Sequence, residues 1–120
     1  MRETLGEIEH LVLLALLRLG ERSYGVPILE EIAARTGRNV SRPAVYIALR
    51  RLEAKGLVSS RLGERTAERG GRAKRYFTLT AAGHRQMDAT RKALMNMWED
   101  VAHKIRPGRR TVPGEGKGRP

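Results

Sequence analysis

Ser41-Arg-Pro-Ala-Val-Tyr-Ile-Ala-Leu-Arg-Arg-Leu-Glu53 is the stretch whose reading decides the fold. Val45, Ala48, Leu49 and Leu52 recur at the spacing of one face of a helix. Ser41 is a natural N-cap, and Pro43 is tolerated in a first turn because the N–H it lacks would have no partner there. Gly56 stops the helix. Arg42, Tyr46, Arg50 and Arg51 fall outside the apolar stripe, so the helix is greasy on one side and basic on the other.

Upstream, Ile28, Leu29, Ile32 and Ala33 form a second buried stripe, with Pro27 in the first turn and Gly37 just past the end. Ser23 is the expected cap of this helix. Two short capped helices joined by a tight turn, the second basic on its free side, outline a helix-turn-helix. Before them, residues 3–19 read as a helix whose stripe is Leu5, Ile8, Leu11, Val12, Ala15, Leu16 and Leu19. Leu13, Leu14 and Leu17 extend it almost all round, which calls for burial on two sides, the second against a partner subunit.

Downstream, Leu57–Leu62 and Arg75–Leu79 are strand-like and flank a basic, Gly-containing loop, residues 63–74. A two-stranded ribbon after a basic helix describes a winged helix, whose loop can reach flanking phosphates or the minor groove. Thr80 caps a last helix expected to run to about Ile105. Along it Met87, Leu94, Trp98, Val101 and Ile105 make a near-heptad seam of the kind that packs on another helix. The fold class is therefore mainly α with a small β-ribbon: a winged helix-turn-helix over residues 1–80 and a dimerisation helix over 81–105. Residues 106–120, with 4 Gly and 3 Pro, read as a disordered basic tail, either a loose terminus or an arm adding phosphate affinity.

Charge narrows the function. The chain has 120 residues and a formal charge of +11, of which residues 41–80 carry +7 and residues 106–120 carry +4, while residues 1–40 carry −1. The pI near 11.2 indicates a polyanionic partner. Concentration of that charge on the proposed recognition helix and wing marks a binding face. Aromatic residues are only 4%, against a stacking platform for single strands, and there are no cysteines, which excludes disulfide scaffolds and thiol chemistry. His10, His84 and His103 share no ligand spacing, so no metal and no cofactor is expected, and no nucleophile or phosphate-loop motif points to catalysis. The apolar run Leu11–Leu17 is far short of the ~20 residues of a membrane span, and acidic residues precede it, so a cytoplasmic protein is expected.

Tyr24-Gly25, the 41–53 block, Gly56-Leu57-Val58, Gly70-Gly71-Arg72 and Tyr76-Phe77-Thr78-Leu79-Thr80-Ala81-Ala82-Gly83 together resemble the PadR-like transcriptional regulators, over about Leu5 to Ile105. The resemblance implies a homodimeric winged-helix repressor with its third helix in the major groove and its last helix crossing onto the partner. It also implies, for some members, a flat apolar effector held between subunits. Many members carry Pro directly after the recognition-helix Tyr, where this chain has Ile47, so individual base contacts do not carry over.

The expected DNA-binding residues are Ser41, Arg42, Tyr46, Arg50 and Arg51 on the helix, and Arg69, Arg72 and Lys74 in the wing. Arginine can bond bidentately to guanine, and tyrosine can contact phosphate or a thymine methyl. The alternatives are a solvated helix face with Arg50 paired to Glu53, and a loop charged only for solubility. Leu5, Ile8, Val12, Leu94, Trp98, Val101 and Ile105 are expected at the dimer interface, Trp98 as its anchor or as a stacking surface for an effector. The partner is double-stranded DNA, with an inverted-repeat operator following from two-fold symmetry. The rival functions are a nucleoid-type protein of low sequence preference and a winged-helix adaptor that binds protein.

Overall fold

A computed structural model describes residues 5–64 and 73–105. The elements run α1 (Glu7–Leu19), α2 (Gly25–Thr36), α3 (Arg42–Ala54), β1 (Val58–Leu62), β2 (Arg75–Leu79) and α4 (Ala81–Trp98), with short 3-10 turns after α1 and α4. The chain divides into two compact units, residues 1–90 and 91–120.

The first unit holds the core. Val12, Leu13, Ala15 and Leu16 of α1 meet Ile28 and Ile32 of α2 and Val45, Ala48, Leu49 and Leu52 of α3. Leu57, Val58, Phe77 and Met87 complete the cluster. The stripe of α3 is thus the one its periodicity predicts, and that of α2 is met by Ile28 and Ile32 in the core with Leu29 half-buried beside it. Val12, expected at a subunit interface, is 0% exposed within one chain and has no surface left for a partner. Leu5 and Ile8 pack half-buried against the same core. The large apolar side chains that α1 leaves in solvent are Leu14 and Leu17.

Ser41 caps α3, its Oγ accepting the Ala44 N–H at 3.2 Å, and Thr80 Oγ1 accepts the Gly83 N–H at 3.0 Å to start α4. Ser23 does something else. Helix α2 begins after Tyr24 with no side-chain cap, and Ser23 Oγ donates to the Phe77 carbonyl at 2.7 Å. The Phe77 N–H donates back to the Ser23 carbonyl at 3.0 Å. Ser23 is thereby pinned beside β2, which pairs with β1 in antiparallel register from Val58↔Leu79 to Leu62↔Arg75.

Two further contacts fix the ribbon and α4. Glu53 Oε2 accepts from Ser60 Oγ at 2.8 Å, and Arg75 Nη1 donates to that same hydroxyl at 2.9 Å. Gly83, buried in the first turns of α4, lies against the Leu57 carbonyl, which a Cβ at that position would strike.

At the same C-terminal end of α3, Glu9 Oε1 accepts from the Gly6 N–H at 3.0 Å and from Lys55 Nζ at 2.8 Å. Burial pushes this carboxyl up, but the Lys55 and Gly6 hydrogen bonds and the charges of Lys55 and Arg51 outweigh it, so its pKa ends below the ordinary value.

In the second unit the helix stops at Trp98 and not near Ile105. Asp100 adopts φ 65°, a left-handed conformation that Asp tolerates better than most residues and that cannot continue a helix. Ala102–Lys104 then makes a single 3-10 turn. Leu94, Met95, Met97, Trp98 and Ile105 are exposed, and Val101 is half-buried.

Glu9→Ala, which removes the carboxylate that accepts from Lys55 Nζ and the Gly6 N–H, should cost about 1.5–3 kcal/mol of stability in urea unfolding. Because the folded-state pKa of Glu9 is lowered, its contribution is complete above the ordinary value of 4.5 and is lost as the pH falls through the folded value. Glu9→Gln should therefore show a shallower loss of stability than the parent on acidification below pH ~5. Gly83→Ala should lower the melting temperature, since the colliding atom is backbone and cannot swing aside.

Candidate nucleic-acid interface

Burying Val45, Ala48, Leu49 and Leu52 turns the opposite side of α3 outward. Pro43, Tyr46, Ile47, Arg50, Arg51 and Ala54 follow one another at steps of three and four along that side and line a shallow groove of about 530 Å³. Arg42, Arg50 and Arg51 are exposed, and Ser41 lies exposed at the helix start with its hydroxyl committed to the cap. Glu53 is engaged by Ser60, and no salt bridge joins it to Arg50 among the described residues.

A larger cleft, about 860 Å³, opens between this helix, the start of α2 and the wing. Arg22 and Tyr24 enter it from before α2, Arg42 and Tyr46 from α3, and Lys74 and Arg75 from the ribbon, with Glu30 the one acidic side chain in its lining. Gly25 and Val26 at the uncapped N-terminus of α2 also face it. Free N–H groups at a helix start and four cations in one concavity suit a phosphate oxygen.

The aromatic residues hold this cleft in shape. Tyr24 and Tyr76 meet edge to face with ring centroids 5.3 Å apart. Lys74 Nζ sits 5.0 Å from the Tyr24 ring centre, and the Arg61 guanidinium lies 4.9 Å from that of Tyr76. Four side chains thus alternate cation, ring, ring, cation across the base of the wing. On the other wall, Tyr46 rests on Gly25 so closely that a Cβ there would overlap its hydroxyl and ring carbon.

Of the residues expected to bind DNA, Arg42, Tyr46 and Lys74 converge on the cleft, and Arg50 and Arg51 lie along the adjoining groove. Arg69 and Arg72 lie outside the described residues. Arg22, Tyr24 and Arg75 join the site without having been singled out from the sequence. Tyr24 carried a signal as part of the Tyr24-Gly25 pair; Arg22 and Arg75 reach the cleft only through the Ser23–Phe77 pairing, which no local pattern announces. Among the described residues no group of three His, Asp or Glu could hold a metal ion, and no helix is long and apolar enough to cross a membrane.

Solved structures with the same fold include a PadR-like transcription factor from Bacteroides fragilis, with TM-score 0.65 and 22% identity, covering 82% of this chain and 89% of that one. A transcriptional regulator from Clostridium thermocellum superposes with TM-score 0.68 at 22% identity, covering 82% and 90%. BpsR of Bordetella bronchiseptica, whose DNA binding is regulated by 6-hydroxynicotinic acid, gives TM-score 0.62 at 20% identity over 87% and 70%. No curated protein sequence matches the chain. The family model for PadR-like transcriptional regulators matches residues 13–89, from the core of α1 through the helix-turn-helix and the wing into α4. The chain belongs to the PadR-like family of transcriptional regulators.

Proposed function

We propose that the protein is a homodimeric repressor that occupies an inverted-repeat operator through α3 and the wing and is released by a small apolar effector. The observation that carries the DNA contacts is the convergence of Arg22, Arg42, Lys74 and Arg75 on one cleft beside the exposed arginine face of α3. Arg50 and Arg51 supply base-edge donors, while Arg42, Tyr46, Lys74 and the α2 N-terminus hold phosphates. Arg69 and Arg72 of the wing add to the phosphate set on the same charge argument, and the tail 106–120 adds non-specific affinity.

Dimerisation is supported by the apolar side chains left in solvent. Leu14 and Leu17 on α1, and Leu94, Met95, Met97 and Trp98 on α4, are larger and more numerous than a lone small domain carries without reason. With Leu5, Ile8, Val101 and Ile105 they are the proposed subunit contacts. Trp98, 46% exposed, is the proposed floor of an effector site. The regulation of DNA binding in the Bordetella protein by 6-hydroxynicotinic acid is a precedent for control by a small ring compound, one that carries a carboxyl group where the effector proposed for this chain is apolar. Repression by promoter occupancy is the role this reading gives the protein, and residence in the cytoplasm goes with it.

Gel-shift titration against sequences selected from a random DNA pool tests the reading. Tyr46→Ala combined with Arg50→Ala should abolish specific binding; unchanged affinity refutes the role of this face. Lys74→Ala should flatten the log K against log salt slope by about one unit. Affinity equal for selected and random duplexes would instead identify a nucleoid-type protein. Trp98→Ala should shift the sedimentation of the protein from dimer toward monomer, and a true effector should quench Trp98 fluorescence in the parent.

A further inference from the structure

Ile47 is the residue on the outer face of α3 that the electrostatics leave unexplained. It is 53% exposed, makes no part of the core, and lies between Tyr46 and Arg50 in the groove whose floor is Pro43, Ile47 and Ala54. An exposed β-branched side chain lowers helix propensity and gains nothing in the free protein. Its cations flank it: Arg42 precedes it by five residues, and Arg50 and Arg51 follow by three and four. Docking that brings those guanidinium groups to a polyanion therefore also presses this apolar patch against whatever lies between the phosphates. In a DNA major groove the one apolar group offered at a base edge is the C5-methyl of thymine.

We infer that Ile47 reads a thymine methyl in each half-site, making it a specificity-determining residue. The inference rests on α3 entering the major groove. Its position supports the role, since the N-terminal half of a recognition helix is the part that meets base edges, and Ile47 is the sixth residue of α3. The neighbouring arginines supply affinity and guanine contacts, while the Ile47 side chain supplies discrimination that salt does not screen, because dehydrating a methyl against an alkyl chain involves no counterion.

The test uses the full chain and duplexes enriched from a random pool. Each thymine is replaced singly by deoxyuridine, which removes the methyl and keeps every hydrogen-bonding group. At one thymine per half-site the parent should bind the deoxyuridine duplex about fourfold more weakly, the worth of one buried carbon. Ile47→Ala should bind the thymine duplex more weakly by a similar factor and should no longer distinguish the two, while its salt slope stays that of the parent. Alanine favours the helix and the site is exposed, so the variant should melt as the parent does. Equal parental affinity for thymine and deoxyuridine at every position, or discrimination that survives in Ile47→Ala, overturns the inference while leaving DNA recognition by α3 intact. Failure of the pool to yield any preferred sequence overturns both.

Discussion

The site depends on two hydrogen bonds between Ser23 and Phe77. They join residues 54 positions apart and tie the start of α2 to the middle of β2. Phe77 is itself buried in the core, so the ribbon cannot slide along the helices while that ring stays in place. Because residue 23 is held there, Arg22 and Tyr24 on either side of it are aimed at the wing, and the N-terminus of α2 opens into the same space. A helix-turn-helix and a ribbon without this seam would each be basic, but their cations would not share one concavity.

The arrangement of acids is the complement of this. Glu9 and Glu53 lie close to the recognition helix or within it, where unpaired carboxylates would repel a phosphate backbone. Glu9 is drawn instead into a part-buried contact with Lys55 and the Gly6 N–H, while Glu53 stays exposed and accepts from the Ser60 hydroxyl. The same contacts brace α3 at its C-terminal end against α1 and against the ribbon. For Glu9, pairing the charge with Lys55 and bracing the helix are one set of interactions. The outward face is left to Arg42, Arg50 and Arg51.

Much of this was legible in the sequence, and what was not has a common cause. The apolar stripes of α2 and α3, the caps at Ser41 and Thr80 and the two strands are local patterns, written within a few residues of where they act. Ser23 reads as a cap because its immediate neighbours permit that role; its partner is in another element. Val12 was placed at a subunit interface because α1 is apolar nearly all round, and periodicity alone cannot say which flank the domain's own core will take. The end of α4 at Trp98 was masked by Val101 and Ile105, which continue the spacing past a backbone that has already turned at Asp100. Arg22 and Arg75 needed the three-dimensional seam before either could be counted with the recognition helix.

The contact of Tyr46 with Gly25 has a consequence for how such proteins exchange their binding preferences. A phenol rests where any side chain on the facing residue would be, so the two positions form a lock between the positioning helix and the reading helix. Neither can drift alone: a larger residue at 25 expels the ring, and a smaller one at 46 leaves a hole beside the cleft. Recognition helices on this scaffold are thus not freely interchangeable cassettes. If α3 reads DNA as proposed, a transplanted α3 keeps its orientation only together with the first turn of α2, and DNA preference passes with the pair of helices.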